Sequence, residues 1–315
     1  MFTRLSIPTP FQVGPVNAYL AGRTLVDPGP DSEEAWSALL DALEERELAP
    51  GDIERVLVTH PHPDHFGLAA RLSDAGASVV ASEPAAAIMR DFRGRYEHES
   101  AFFAEFFERC GMAARTADTV TDLPEAYIRY APDVETDREI RDDDTLVVQN
   151  TTVDVLVVSG HAQGEAIFDY AVDGERHAIV GDHVLAEITP NPFLLPPPEE
   201  GGERPRALPA FNRSLERLRD REFDRLLTGH RDPVTAPRAR IEEILAAHEE
   251  RTENVLALVN GPTTPVDVME GLFGDLPITE YFAGMSEAVG HLDVLEARGA
   301  VTAREQGGLV VYEPS

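Results

Sequence analysis

Residues 59–67 read THPHPDHFG, which places His60, His62, Asp64 and His65 within six positions. Pro61 and Pro63 follow His60 and His62, and a residue before proline is pushed out of helical into extended conformation. Side chains two apart on an extended chain face the same side, so both imidazoles are expected to reach one cation. A helical metal motif would need a spacing of three or four instead. Asp64 and His65 come next, as the chain turns toward a helix starting near Phe66 and Gly67, and they face a second position nearby. Alone, a histidine is usually a satisfied core or surface residue, and Asp64 would read as the cap of that helix. Four such residues together argue for metal.

The flanking sequence sets the cluster in a strand-to-helix turn. IERVLVT (53–59) is a buried strand by its Ile, Val and Leu content, and GLAARLSDAG (67–76) has helical spacing up to a glycine stop. Upstream, NAYLAG (17–22) and RTLVDPG (23–29) read as hairpin-like strands. DSEEAWSALLDALEEREL (31–48) follows as a helix with an acidic first turn and Trp36, Leu39, Leu40 and Leu43 on one face. Three later segments repeat one pattern: VDVLVVSGH ends in His161, HAIVGD in Asp182 and FDRLLTGH in His230. Each is a buried-looking strand, then glycine, then a metal-type side chain. Glycine there permits an unusual turn or a close approach, so the next side chain projects from the strand end into a cleft. Four strand ends that deliver such donors form a constellation on a rigid sheet.

Composition limits the chemistry. The 315 residues hold 57 acidic side chains against 27 basic ones, all 27 of them arginine, for a net charge of -30. Such a surface repels nucleic acid and anionic lipid at ordinary salt, whereas in molar salt the Debye length falls to about 3 Å and the repulsion is screened. The charge is spread along the chain and reads as adaptation to a salt-rich cytoplasm. The single cysteine, Cys110, excludes an internal disulfide framework and reads as a buried thiol, leaving histidine and carboxylate as metal donors. No apolar run is long enough to span a bilayer and no export signal is apparent, so a cytoplasmic location is expected.

The pattern His-x-His-x-Asp-His, completed by a distant His, Asp and His, resembles the metallo-β-lactamase superfamily. The resemblance implies an α/β fold, a four-layer αββα sandwich over residues 1–237, with a two-metal site between its sheets. Carried over, His60, His62 and His161 hold the first metal, Asp64, His65 and His230 the second, and Asp182 bridges them, with Asp64 and Asp182 as the catalytic carboxylates. Asp27 in LVDPG matches a family turn beside the site and reads as structural. Two Zn²⁺ ions are favoured by five imidazoles and two carboxylates, although iron and manganese accept the same donors. Two cations about 3.5 to 4 Å apart lower the pKa of a shared water and clamp an oxyanion, which makes a metal-bridging hydroxide available at neutral pH. His62 stands where flavodiiron oxidases of the superfamily carry glutamate, which favours hydrolysis. Around His161, SGHAQGE departs from the commoner Thr-Pro-Gly-His.

From 238 to 315 the pattern changes to three helices and two short strands around a glycine turn, read as a winged-helix domain. The combination resembles the β-lactamase-like subgroup that includes a mitochondrial endoribonuclease and hydrolases likened to hydroxyacylglutathione hydrolase. The leading expectation is a metal-dependent thioester or ester hydrolase acting on a small acyl substrate. A metal-dependent endoribonuclease or phosphodiesterase and a winged-helix binding protein are the alternatives. Glu280, Glu287, Asp293 and Glu296 on the third helix oppose Arg298 alone, the wrong sign for phosphate, so no nucleic acid is expected there, with RNA left open as a substrate. No membrane partner is expected. Phe102, Phe103, Phe106 and Phe107 in HESAFFAEFFERCGM read as core or homodimer packing, with a lid over an acyl substrate as the alternative. The loop GDHVLAEITPNPFLLPPPEEGG (181–202) is expected to border the cleft, Asn191 serving either an oxyanion or a turn. His98, His177, His183, His248 and His291 receive no role, although His183, beside Asp182, stands where a group supporting a ligand could lie.

Overall fold

The computed structural model describes residues 1–123, 125–198 and 201–315, so the two glutamates that end the proline-rich stretch of the 181–202 loop lie outside the described residues. The chain forms two compact units, each drawn from three segments of the sequence. The first takes Met1–Arg93, Ala126–Pro190 and Leu218–Ile241, and the second Gly94–Glu125, Asn191–Arg217 and Glu242–Ser315. The last crossing lies close to the 237/238 boundary read from sequence, whereas two other segments of the second unit come from inside the span 1–237.

In the first unit, one sheet runs in chain order, β1 (Thr3–Ile7), β2 (Val16–Ala21), β3 (Thr24–Val26), β4 (Arg55–Leu57), β5 (Ser78–Ser82) and β6 (Arg138–Ile140). The first three strands are antiparallel and include the hairpin expected from NAYLAG and RTLVDPG. From β3 onward the pairing is parallel, which requires crossover connections. These are α1 (Glu33–Glu44) between β3 and β4, then α2 (Pro63–Phe66) and α3 (Ala69–Asp74) between β4 and β5, with α4 (Glu83–Arg90) following β5. The Ser32 hydroxyl accepts from Ala35 N at 3.1 Å and starts α1. Leu39, Leu43, Leu72 and Met89 from these helices share one apolar core with Leu25, Val56 and Val79 of the sheet.

The second sheet has the order β11-β10-β9-β8-β7, built from β7 (Thr145–Val148), β8 (Thr151–Val158), β9 (Glu165–Val172), β10 (Glu175–Gly181) and β11 (Arg225–Thr228). Period-two alternation on β8 turns Val153 and Val155 inward. They join Phe168 and Ile179, and meet Tyr19, Val26, Leu57 and Val80 of the first sheet in a core between the two sheets. Because β9 is antiparallel to both β8 and β10, and β11 is parallel to β10, the C-terminal ends of β8, β10 and β11 lie on one edge. Across the sheets, Ala166 N donates to Thr59 O at 2.7 Å and brings the end of β4 to the same edge.

The second unit holds most of α5 (Phe92–Arg109), α6 (Ala114–Asp122), the start of α7 (Glu125–Ile128), most of α8 (Ala207–Arg219) and of α9 (Pro237–Leu258), α10 (Pro265–Phe273), α11 (Tyr281–Ala297), and the hairpin β12 (Val301–Gln306) and β13 (Leu309–Pro314). Thr264 and Asp267 form a reciprocal capping box around Pro265 at the start of α10. The phenylalanine stripe is core: Phe103 and Phe107 are buried against Phe282, with ring centroids 5.1 and 5.4 Å apart, beside Cys110, Val268 and Met285. Burial pushes the Cys110 thiol up to about 12, as expected of an inert structural cysteine.

Every residue of α11 from Gly284 to Leu295 is buried, including Glu287 and Asp293. The Asp293 carboxylate takes both Arg204 nitrogens, at 2.8 and 2.6 Å, and Glu287 accepts from Arg251 Nη1 at 2.7 Å. Burial opposes ionisation of Glu287, but the His291 ring and the Arg251 guanidinium outweigh it and hold the carboxyl below its ordinary value. A depressed carboxylate stabilises the fold above its unfolded-state pKa, about 4.3, and that contribution is lost as pH falls through the folded-state value. Glu287→Gln is therefore expected to lower Tm at pH 7, with the gap to the native chain closing below about pH 4. Thermal melts at fixed salt check this; a gap of the same size at both ends of that range contradicts it.

Candidate metal centre

Proline decides the local geometry of the 60–65 segment. His62 is extended, at φ -84° and ψ 144°, and Pro63 is the first residue of α2, the helical position at which a missing N–H costs nothing. The helix thus begins three residues earlier than the start near Phe66 expected from sequence. Asp64 lies inside its first turn, where the N-cap is His62; this overturns the reading of Asp64 as a mere cap. As the two-residue spacing requires, His60 Nε2 and His62 Nδ1 lie 3.1 Å apart.

The shared edge of the two sheets brings the distant donors to this turn. Gly181, with φ 51°, is in a left-handed conformation, and a Cβ there would meet Thr59 Oγ1 at 2.6 Å. A Cβ on Gly229 would strike Asp182 Oδ1 and sit 2.7 Å from His65 Cε1. Both glycines therefore serve close approach at the ends of β10 and β11. Among the described residues three groups result, His60 with His62 and His161, His60 with His65 and Asp182, and Asp64 with His65 and His230, each with donor atoms within 4.8 Å of one another. Asp182 lies among them, its oxygens 3.6 Å from His65 Nε2, 3.9 Å from His161 Nε2 and 3.5 Å from His230 Nε2. All seven side chains singled out from the sequence are brought together.

Whether this space suits a metal is tested by its unsatisfied atoms. Among the described residues, His65 Nε2, Asp182 Oδ1 and His230 Nε2 are buried without a hydrogen bond, a state that a folded interior rarely tolerates without a partner. They come from three separate elements and converge. Imidazole nitrogens and carboxylate oxygens, with no thiolate, are a donor set for zinc that iron and manganese also accept. The residues fit a metal.

Acceptors behind three rings fix the tautomer that points Nε2 inward. Thr59 Oγ1 donates to Asp27 at 2.6 Å and so accepts from His60 Nδ1 at 3.0 Å. His65 Nδ1 donates to Asp27 Oδ2 at 2.9 Å, and His230 Nδ1 to the Pro15 carbonyl, also at 2.9 Å. Such backing groups orient a ligand ring and raise its basicity. Asp27, read as structural, thus touches His65 directly and also accepts from Thr59 N at 2.8 Å. It does so with φ 50°, a conformation that aspartate tolerates better than most residues. β2 steadies the opposite side, where Asn17 Nδ2 and Tyr19 OH both donate to Thr228 O.

The charges are already sorted. Burial, and then repulsion from neighbouring imidazoles, holds His60 well below its ordinary value and His62 down to about 3, so both are neutral donors. Burial opposes ionisation of Asp64 and Asp182, but the imidazoles around them, His65 first, outweigh it and depress both. For His65, burial is outweighed by the carboxylates of Asp182, Asp27 and Asp64, and its value is raised.

Sequence reasoning missed Glu165. Its Oε1 accepts from His161 N at 3.0 Å and Ala162 N at 3.2 Å, and its Oε2 lies 3.1 Å from His183 Nδ1. The signal was its place four residues after His161 in SGHAQGE. Among the histidines without an assigned role, His177 pairs with Glu175 at the start of β10, whereas His98, His248 and His291 belong to the second unit, as does Asn191. The Asn191 carbonyl accepts from Phe193 N at 3.1 Å, as a turn residue does.

Comparison with known proteins agrees with this geometry. Residues 12–246 match the model of the metallo-beta-lactamase superfamily. The chain is 31% identical over 98% of its length, and 96% of the relative's, to the "Probable metallo-hydrolase YqjP" of Bacillus subtilis (strain 168). A metallo-beta-lactamase family protein of Thermus thermophilus, TTHA1429, superposes over all of this chain and 98% of its own with a TM-score of 0.81 at 29% identity. A beta-lactamase domain protein of Burkholderia ambifaria covers 99% of this chain and 92% of its own at 0.78 and 24%.

Proposed function

The chain belongs to the metallo-beta-lactamase superfamily, and from that premise we propose that it is a two-metal hydrolase of a thioester or ester with a small acyl group. His60, His62 and His161 are assigned to one ion, Asp64, His65 and His230 to a second, and Asp182 to both. One observation carries this reading: the overlapping donor groups share His60 and His65 and enclose Asp182. Ions held there supply a water of lowered pKa and a Lewis acid for the attacked oxygen.

The chain's own residues supply the rest. Asp182 and Asp64 offset the cationic charge, and Asp27, Thr59 and the Pro15 carbonyl hold three rings in register before substrate arrives. Preorganisation of this kind avoids reorganisation during the reaction. Asp64 Oδ2, 3.2 Å from His230 Nε2, is the carboxylate placed to take a proton from the attacking water.

Phosphodiester or RNA hydrolysis is the less favoured reading. A helix that reads nucleic acid needs a solvent-facing surface of basic side chains, whereas α11 is buried from Gly284 to Leu295 and its inner carboxylates are tied to arginines. That reason replaces the exposed negative charge argued from sequence, since Glu287 and Asp293 do not face solvent. We read residues 238–315, in the order helix, helix, helix and hairpin, as a winged-helix-like appendage without nucleic-acid affinity. Zinc-loaded protein in molar salt, assayed against thioesters, lactones, phosphodiesters and RNA, is expected to turn over thioesters or esters fastest. RNA or a phosphodiester as the best substrate would reverse the assignment.

A further inference from the structure

Glu165 and His183 are both buried, and they join the two loops that carry His161 and Asp182. The Glu165 carboxylate uses one oxygen to gather the backbone N–H groups of His161 and Ala162, and the other to accept from His183 Nδ1. His183 directly follows Asp182, and its backbone N–H is bonded to Val180 O at 3.1 Å, so the backbone that carries the imidazole is tied to the end of β10. The other end of the His161 loop is anchored independently, where Ser82 Oγ donates to Gly164 O and Ala166 N to Thr59 O. The Glu165 side chain spans from His161 to the residue beside Asp182. The gap that it spans separates His161 Nε2 from Asp182 Oδ2, which lie 3.9 Å apart.

We propose that Glu165 and His183 are a positioning pair that sets the distance between the His161 and Asp182 donors and thereby the affinity of the His60/His62/His161 position for its ion. The inference rests on the metal-binding reading above. Neither side chain is a catalytic residue; both act through the ligands they hold. Removing a partner of this kind weakens metal binding by about 10- to 100-fold. Glutamine at 165 keeps an oxygen for the two backbone donors but replaces the carboxylate oxygen facing His183 Nδ1 with an amide N–H₂, so the loop is kept and the anionic acceptor for His183 is lost.

The test uses the full chain and the variants E165Q, H183Q and their double, with zinc affinity read by competition against a chromophoric chelator and ligand geometry by the visible spectrum of the cobalt(II)-loaded protein. E165Q is expected to weaken one of two binding steps by about 10- to 100-fold and to shift the cobalt bands, with the metal-free protein still melting cooperatively. The double variant is expected to lose no more than the worse single one, since the pair acts as a unit. If E165Q does not fold, H183Q gives the same reading. Native zinc affinity and an unaltered cobalt spectrum in both single variants overturn the positioning role while the metal site stands. A native chain that binds no zinc or cobalt at all overturns both.

Discussion

Asp182→Ala is expected to cut hydrolysis by on the order of a thousandfold, the scale seen when one preorganised electrostatic group is removed from an active site. The reason is position. Asp182 is the carboxylate whose oxygens approach His65, His161 and His230 together, so its loss takes negative charge from both assigned ion positions. His62→Ala removes a donor from the His60/His62/His161 group alone, and is expected to lower metal content toward one ion per chain. Elemental analysis and initial rates on the same preparations check both variants. Retained activity in Asp182→Ala, or a native chain that purifies without metal in the absence of chelator, would remove the two-metal assignment.

The second large effect is that of salt. With 57 acidic and 27 basic side chains, a charge of -30 is left uncompensated. The surface ion pairs do little to offset it, since exposed pairs such as Arg4 with Asp232 or Arg23 with Glu54 each contribute only about 0 to 1 kcal/mol. Screening is the remaining remedy: the Debye length falls from about 10 Å at 0.1 M salt to about 3 Å at 1 M. For a chain of this size each kcal/mol of relieved repulsion raises Tm by about 2 to 4 °C. Circular dichroism melts are therefore expected to sharpen and to rise by more than about 10 °C between 0.1 and 2 M potassium chloride. An unchanged cooperative melt in dilute buffer would contradict the salt adaptation and favour a basic partner for the acidic surface.

The seven side chains that converge were legible in the sequence because their cues are local. Pro61 and Pro63 dictate extended backbone at His60 and His62 wherever the segment lies. Gly160, Gly181 and Gly229 mark the strand ends from which His161, Asp182 and His230 project, and apolar alternation shows which segments are strands. The helix start was misplaced by three residues because proline at its first position also reads as a break.

What holds the donors in place was set by packing between residues far apart in the chain. Asp27 reaches His65 across 38 positions, His230 reaches Pro15 across 215, and His183 reaches Glu165 across 18. No periodicity encodes such partners, since a buried carboxylate or imidazole is satisfied by whichever group the folded sheets bring within about 3 Å. The second unit follows the same rule: its three segments, and the burial of Glu287 and Asp293 on a helix that reads as charged, depend on Arg251 and Arg204 arriving from elsewhere. Short-range sterics, written residue by residue, determined which side chains are offered at the strand ends and the turn; long-range burial, which only the assembled sheets and helices create, decided their tautomers, their spacing and their charge.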